Sequence, residues 1–322
     1  MKSIHYSAPA KIILSGEHSV TYGKPAFVAA ISLRLHVEIE ASDKRKVDPS
    51  IEEAIDFIEA IILTHIEKTE KTSKKNFRLT ITSGIPQGRG MGSSAAFCVA
   101  AAAALLEFYT GKPSEKEIVN NLAYQSEKFF HGAPSGVDVS ASCIGGLIFY
   151  RKEFEFLKVI SSLNFKIPHN IQNTLCLIDS GEPVEPTAEM IKVVGKRYNE
   201  IPREMEHTIS EIEKCTKRLV VAIVKEDIQF FQETLKDNEQ YLVELGIVSQ
   251  DTQHLLDSIS TLGVGKVTGA GGVHSGSGMI LFSGYEPEFR KQLDYKKITY
   301  FPFKLDFDGL KCESLFTEES AL

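Results

Sequence analysis

The sequence predicts two domains that mix strands with helices, and three observations predict it. The chain has 322 residues, about twice the ~150 of a typical domain. Segments of strict alternation stand beside segments of helical periodicity. Glycine-rich stretches, 84–92 and 263–278, each run directly into an apolar segment. A hydrophobic fraction of 43% and a charged fraction of 25% are ordinary for a folded, water-facing protein.

Taken in order, Leu33 to Glu40 and Phe77 to Thr82 alternate apolar and polar side chains, the pattern of half-buried strands. Between them Ser50 and Glu53 have the spacing of a capping box, and Ile51, Ile55, Ile58, Ile62 and Ile66 make one apolar helix stripe. Glu67 to Lys75 is a charged connection. Ser93-Ser94 opens a long alanine-rich helix. Ser114 with Glu117 suggests a second capping box, heading a helix through about Phe130, and the loop His131 to Asp138 ends it. Leu147 to Tyr150 and Leu175 to Ile178 read as strands. Helical patterns run from about Pro202 to Leu245 and from Asp251 to Leu262, before a final strand at Met279–Phe282. Pro168-His169-Asn170 marks the most evident break, dividing the chain into 1–168 and 169–322.

Charge and cysteine content exclude several classes. Lys and Arg number 36 against 43 Asp and Glu, a net charge of −7, so the basic excess of a nucleic-acid binder is missing. Five scattered cysteines offer no C-x-x-C pair and no metal spacing, the usage of a reducing cytoplasm. The N-terminal residues lack the apolar core of a signal peptide. The longest apolar run, Ala95 to Leu106, is short of the ~20 residues that span a bilayer. No nucleic acid and no membrane are expected as partners.

Four segments carry candidate chemistry. Gly88-Arg89-Gly90-Met91-Gly92-Ser93-Ser94 places alternating glycines and two hydroxyls at a helix start. Free N–H groups and the positive end of the helix dipole there suit a phosphate; a plain turn with a serine cap reads equally from these residues. The spacing fits neither a Walker A loop nor a G-x-G-x-x-G fingerprint. Glu127 near one helix end and Asp138 in the following loop are two carboxylates suited to Mg²⁺ and general-base work, or else a surface Glu and a turn Asp. Lys11, ahead of an apolar run, suits a developing anionic oxygen, and Glu17-His18 suits a hydroxylated substrate. Lys266-Val267-Thr268-Gly269-Ala270-Gly271-Gly272 is a turn that either faces the same cleft or closes a hairpin.

Together, in order and content, these blocks resemble the GHMP superfamily of small-molecule kinases, its mevalonate kinase branch in particular. Lys11 to Ala26 resembles the first motif, Gly88 to Ala95 the ATP loop, Glu127 to Asp138 the segment with the metal ligand and catalytic aspartate, and Lys266 to Gly272 the third motif. The resemblance implies an α+β fold, with an S5-like N-terminal domain, a ferredoxin-like C-terminal domain and the active site in the cleft between them. It implies phosphorylation of the primary hydroxyl of mevalonate by ATP with Mg²⁺, in the cytoplasm, by a chain for which a homodimer is one open assembly. Gly88, Arg89, Gly90, Met91, Gly92, Ser93 and Ser94 would hold ATP; Ser94 and Glu127 would hold Mg²⁺. Asp138 would take the hydroxyl proton beside Lys11, and Glu17, His18 and Thr187 would bind mevalonate. Another GHMP kinase, acting on phosphomevalonate or a sugar, and a non-catalytic sensor on the same fold are the alternatives; a sensor would lose the carboxylates kept here. Gly272 to Gly278 departs from the run of glycines usual in the third motif.

Overall fold

The computed structural model describes residues 3–67, 74–132, 134–154 and 157–313. Most of the charged 67–75 connection, and Ala133 in the His131–Asp138 segment, lie outside them. The first sheet is antiparallel throughout. It is built from β1 (Ile4–Ser15), β2 (Ala26–Ala41), β3 (Phe77–Ser83), β4 (Leu147–Phe154) and β5 (Leu157–Leu163). The long β2 pairs with β1 along its length and offers its other edge to β4 at Ala26–Ala29 and to β3 at Leu35–Ala41. The alternation at Leu33–Glu40 and Phe77–Thr82 is thus that of two neighbouring strands.

Helices α2 (Ser93–Thr110) and α4 (Val137–Ile144) pack on this sheet, and α1 (Glu52–Ile66) and α3 (Lys116–His131) pack on α2 in turn. In α1 the isoleucine stripe faces inward as expected, with Ile55, Ile58, Ile62 and Ile66 buried. Ser50 does not cap it. Its hydroxyl donates to Asp48 Oδ1 at 2.7 Å and its N–H to the same oxygen at 2.9 Å, a tight turn that starts the helix at Glu52. Ser114 is no cap either. Helix α3 starts at Lys116, so the capping position falls to Glu115, while Glu117 remains in the first turn, where a carboxylate complements the helix dipole. By length and composition α2 could cross a membrane, yet thirteen of its residues are buried against β1, β2, α1, α3 and α4. Its alanines let the sheet backbone approach on one side and the helices on the other.

The second half forms α5 (His169–Gln172), β6 (Leu175–Asp179), α6 (Thr187–Glu200), α7 (Pro202–Val224), α8 (Ile228–Leu245), α9 (Gln250–Ser258), β7 (Gly263–Thr268), β8 (Met279–Gly284), α10 (Phe289–Tyr295) and β9 (Tyr300–Pro302). Its antiparallel sheet has the order β7-β8-β6-β9. The continuous helical pattern of 202–245 is two helices, because Glu226 turns left-handed and Asp227 caps α8 by accepting the Phe230 N–H at 2.9 Å. The stretch 263–278 is not all loop. Its first six residues are β7, where a Cβ at Gly265 would stand 2.8 Å from both Ile280 and Leu256, so only glycine lets the strand pass between β8 and α9. The last strand, β10 (Lys311–Cys312), returns to pair with β1 at Tyr6 and Ser7, and the largest apolar core runs through both sheets. All five cysteines are free, four of them buried.

Candidate active site

Lys11 lies in β1, a strand buried from Tyr6 onward. Among the described residues no strand pairs with the edge of β1 that faces away from β2 beyond Ser7. The phosphate-loop candidate closes part of that edge, with the Lys11 N–H donating to Met91 O at 3.0 Å. The Lys11 side chain then passes Gly92, where a Cβ would stand 2.9 Å from its Cγ. Gly92 has φ 71° and caps α2 in the left-handed region, so glycine answers both the turn and the crowding. The lysine ends in an ion pair with Asp138, Nζ to Oδ1 3.1 Å. Lys11 is 3% exposed and Asp138 28%, so the pair is rooted in protein with its acidic end open. Asp138 is not in a loop, as the Gly and Pro pattern suggests. It stands in the first turn of α4, the positive end of that helix.

Two helix faces meet beside this pair. Ser94 and Cys98 are one turn apart on α2, and Glu127 and His131 one turn apart on α3. Ser94 Oγ and His131 Nε2 are 3.0 Å apart. Burial, and secondarily the Glu127 charge, push the Cys98 thiol well up. His131 is held below its usual range, first by burial, against the attraction of Asp138; a neutral imidazole can share a proton with Ser94. Glu127 is buried at 1% exposure. A serine hydroxyl and a buried carboxylate are hard oxygen donors, a fitting pair for Mg²⁺ with water and phosphate oxygens completing the shell. Among the described residues no cluster of three His, Cys, Asp or Glu could hold a metal alone.

The glycine loop 88–92 leads into α2, whose first-turn N–H groups have no carbonyl partner within the helix. Arg89 spends its guanidinium on protein. Nε donates to Asp179 at 2.8 Å and another nitrogen to Glu182 at 3.1 Å, while its carbonyl accepts the Met279 N–H at 3.2 Å. The arginine therefore moors the loop to β6 and β8.

Glu17 and His18 sit beneath the site. Glu17 is fully buried in an ion pair with Lys266, itself fully buried, and desolvation pushes its carboxyl up against the pull of that lysine. His18 is 6% exposed, its Nε2 is 2.9 Å from Ala270 O, and burial lowers its pKa. Thr187 is exposed at the start of α6, and among the described residues no hydrogen bond joins it to Lys11 or Asp138. The altered loop 272–278 is held by Glu185, which accepts the N–H groups of Val273 and His274 at 3.2 and 3.1 Å and pairs with the His274 ring.

Residue-type reasoning did not single out His131, although it lies four residues after Glu127, on the same helix face. It also left Glu239 unnoticed. Among the described residues only the fold brings Glu239 beside β7, where it accepts the Val267 N–H at 2.8 Å.

With this geometry in place, the class follows. The chain belongs to the GHMP kinase family: the model of the GHMP kinases N terminal domain matches residues 56–146, and a family relative is 32% identical over 83% of this chain and 86% of its own length. Within that family the similarity is to mevalonate kinases. The relative just cited is the mevalonate kinase of Pyrococcus furiosus. In fold, the chain is similar to the Methanococcus jannaschii mevalonate kinase, with TM-score 0.75, 22% identity and 94% of this chain and 98% of that one covered. It is also similar in fold to the L. major mevalonate kinase solved in complex with R-mevalonate, with TM-score 0.74, 22% identity and coverage of 93% and 95%.

Proposed function

We propose that this enzyme transfers the γ-phosphoryl group of ATP to the primary hydroxyl of mevalonate, giving phosphomevalonate and ADP. The observation that carries the reading is the Lys11–Asp138 pair at 3.1 Å, standing where the glycine loop meets β1. Asp138 accepts the hydroxyl proton as the new O–P bond forms and the bond to ADP breaks. Lys11 holds the carboxylate in place and offsets charge on the acceptor oxygen. Residues 88–94 cradle the phosphates through backbone N–H groups. Ser94 and Glu127 would hold Mg²⁺, which neutralises phosphate charge when bound. Glu17 and His18 act as supports of the acceptor pocket, fastened to Lys266 and Ala270, and Thr187 is the contact from the second sheet's side. Small molecules are the partners, in a cytoplasm that keeps the five thiols reduced, and the chain divides near residue 168.

One feature favours mevalonate over its phosphorylated product as acceptor. From Ser15 to Ala26 the only Lys or Arg is Lys24, and Lys24 Nζ is 2.9 Å from Glu213. An acceptor carrying a phosphate, with about −1.5 to −2 charges, finds no uncommitted cation in this segment. An ADP-release assay with mevalonate, phosphomevalonate, galactose and homoserine tests it. Mevalonate is expected to lead phosphomevalonate in kcat/KM by about 100-fold or more, as for a pocket that leaves a charge unpaired. Equal or better use of any other acceptor overturns the assignment.

A further inference from the structure

Among the described residues no hydrogen bond or ion pair joins the third glycine motif to Lys11 or Asp138, and its lysine and threonine are almost wholly buried: Lys266 is 0% and Thr268 1% exposed. Neither is open to a phosphate, yet both reach the catalytic strand. Thr268 Oγ1 accepts the N–H of Ile13 at 2.8 Å. Lys266 Nζ donates to the carbonyl of the same residue at 3.2 Å. Ile13 is two residues beyond Lys11, on the edge of β1 left without a strand, and a register shift follows between Ile13 and Ser15. A bulge at an unpaired edge is where a strand can slide or fray. The Lys11 side chain can meet Asp138 only if this stretch stays in place.

We propose that Thr268 and Lys266 are positioning residues for phosphoryl transfer, a cross-sheet clamp on Ile13 that sets the place of Lys11. The inference rests on the kinase reading above. Three further contacts support it. Lys266 is itself held by an ion pair with the fully buried Glu17. Val267, between the two clamp residues, gives its N–H to Glu239 at 2.8 Å, bracing β7 from α8. The backbone of the same motif packs on the phosphate loop: a Cβ at Gly90 would stand 3.3 Å from Thr268 O. One strand end therefore fixes both the lysine and the loop that faces it.

The test is a double-mutant cycle between Thr268→Val and Lys11→Met, with Thr268→Ser as the conservative variant and amide exchange as an independent measure. Valine keeps the shape and removes the acceptor. Thr268→Val is expected to lower kcat about 10- to 100-fold, as for a small misplacement of a catalytic group, with both KM values within about 2-fold. Thr268→Ser restores kcat to within about 3-fold of the parent, because the hydroxyl returns. In the Lys11→Met background the valine costs less than about 2-fold, since the group it positions is gone. In the unmutated protein the Ile13 amide is expected to exchange as slowly as amides paired within the sheet, a result that needs no variant to fold. Fast exchange at Ile13, an unchanged kcat in Thr268→Val, or the same fold loss with and without Lys11 overturns the clamp. Failure of the mevalonate reading shows separately, as a parent enzyme that prefers another acceptor, and the cycle is then run on that acceptor.

Discussion

Glu239 gives the sharpest test of the buried network under the active site. It is 8% exposed, and burial raises its carboxyl from an ordinary 4.5 to about 7, reinforced by Glu17 and opposed by the Val267 N–H and Lys266. The folded chain thus holds this proton more tightly than the unfolded one. The associated stability is complete below about 4.5 and is lost as pH rises through about 7. At ~1.4 kcal/mol per pKa unit the change amounts to about 3 kcal/mol. Glu239→Gln removes the titration and keeps an oxygen for Val267. For a chain of this size ~1 kcal/mol moves the melting temperature by about 2 °C, and about 2.5 kcal/mol of the change falls between pH 5 and pH 8, so the difference between variant and parent should shift by about 5 °C in the variant's favour over that range. Comparing the two proteins at each pH cancels the titrating groups that do not interact with Glu239; Glu17 and Lys266 do. Differential scanning calorimetry at both pH values reads the result. A difference that stays the same at pH 5 and pH 8 would refute the reasoning, for Glu239 would then ionise alike in folded and unfolded chains.

Three further outcomes are expected. Asp138→Asn retains ATP binding within about 2-fold and loses ~10²- to 10⁴-fold in kcat, since an amide cannot take the proton; calorimetric titration with ATP beside steady-state kinetics checks both halves. Glu127→Gln raises the half-saturating Mg²⁺ concentration at fixed ATP, because one hard oxygen ligand loses its charge; an unchanged titration moves the ligand role to another residue. Gly92→Ala strains a backbone at φ 71° and pushes a methyl to within 2.9 Å of the Lys11 Cγ, so kcat should fall at least ~10-fold with a loss of ~1–2 kcal/mol in stability; parent-like kinetics would show that Lys11 need not lie where it does.

Some of this was legible from local chemistry. Alternation at 33–40 and 77–82, the isoleucine stripe and the Gly-Ser-Ser helix start depend on neighbours in sequence, and the elements stand where those patterns put them. The capping boxes were not, because a serine can satisfy itself on the nearest acceptor; Ser50 chose Asp48. The six-residue strand at 263–268 was hidden by glycines whose reason is the approach of Ile280 and Leu256, a tertiary fact. Lys11 and Asp138 were singled out by residue type, but their meeting across 127 positions is a property of the fold.

The first motif sends its polar side chains to different partners. Lys11, Glu17 and His18 lie within eight residues; the first is expected at the developing anionic oxygen and the other two at the acceptor. The register shift after Ile13 and the positive φ of His18, 54°, turn them toward different partners. The lysine rises toward Asp138, whereas the glutamate turns under the sheet to a lysine from the other half of the chain. A charge as deeply buried as Glu17 requires a partner as deep, and Lys266 meets that requirement while holding Ile13. The same buried pair thus ties the first motif to the third, so a substitution at Glu17 should reach activity through the strand that carries Lys11.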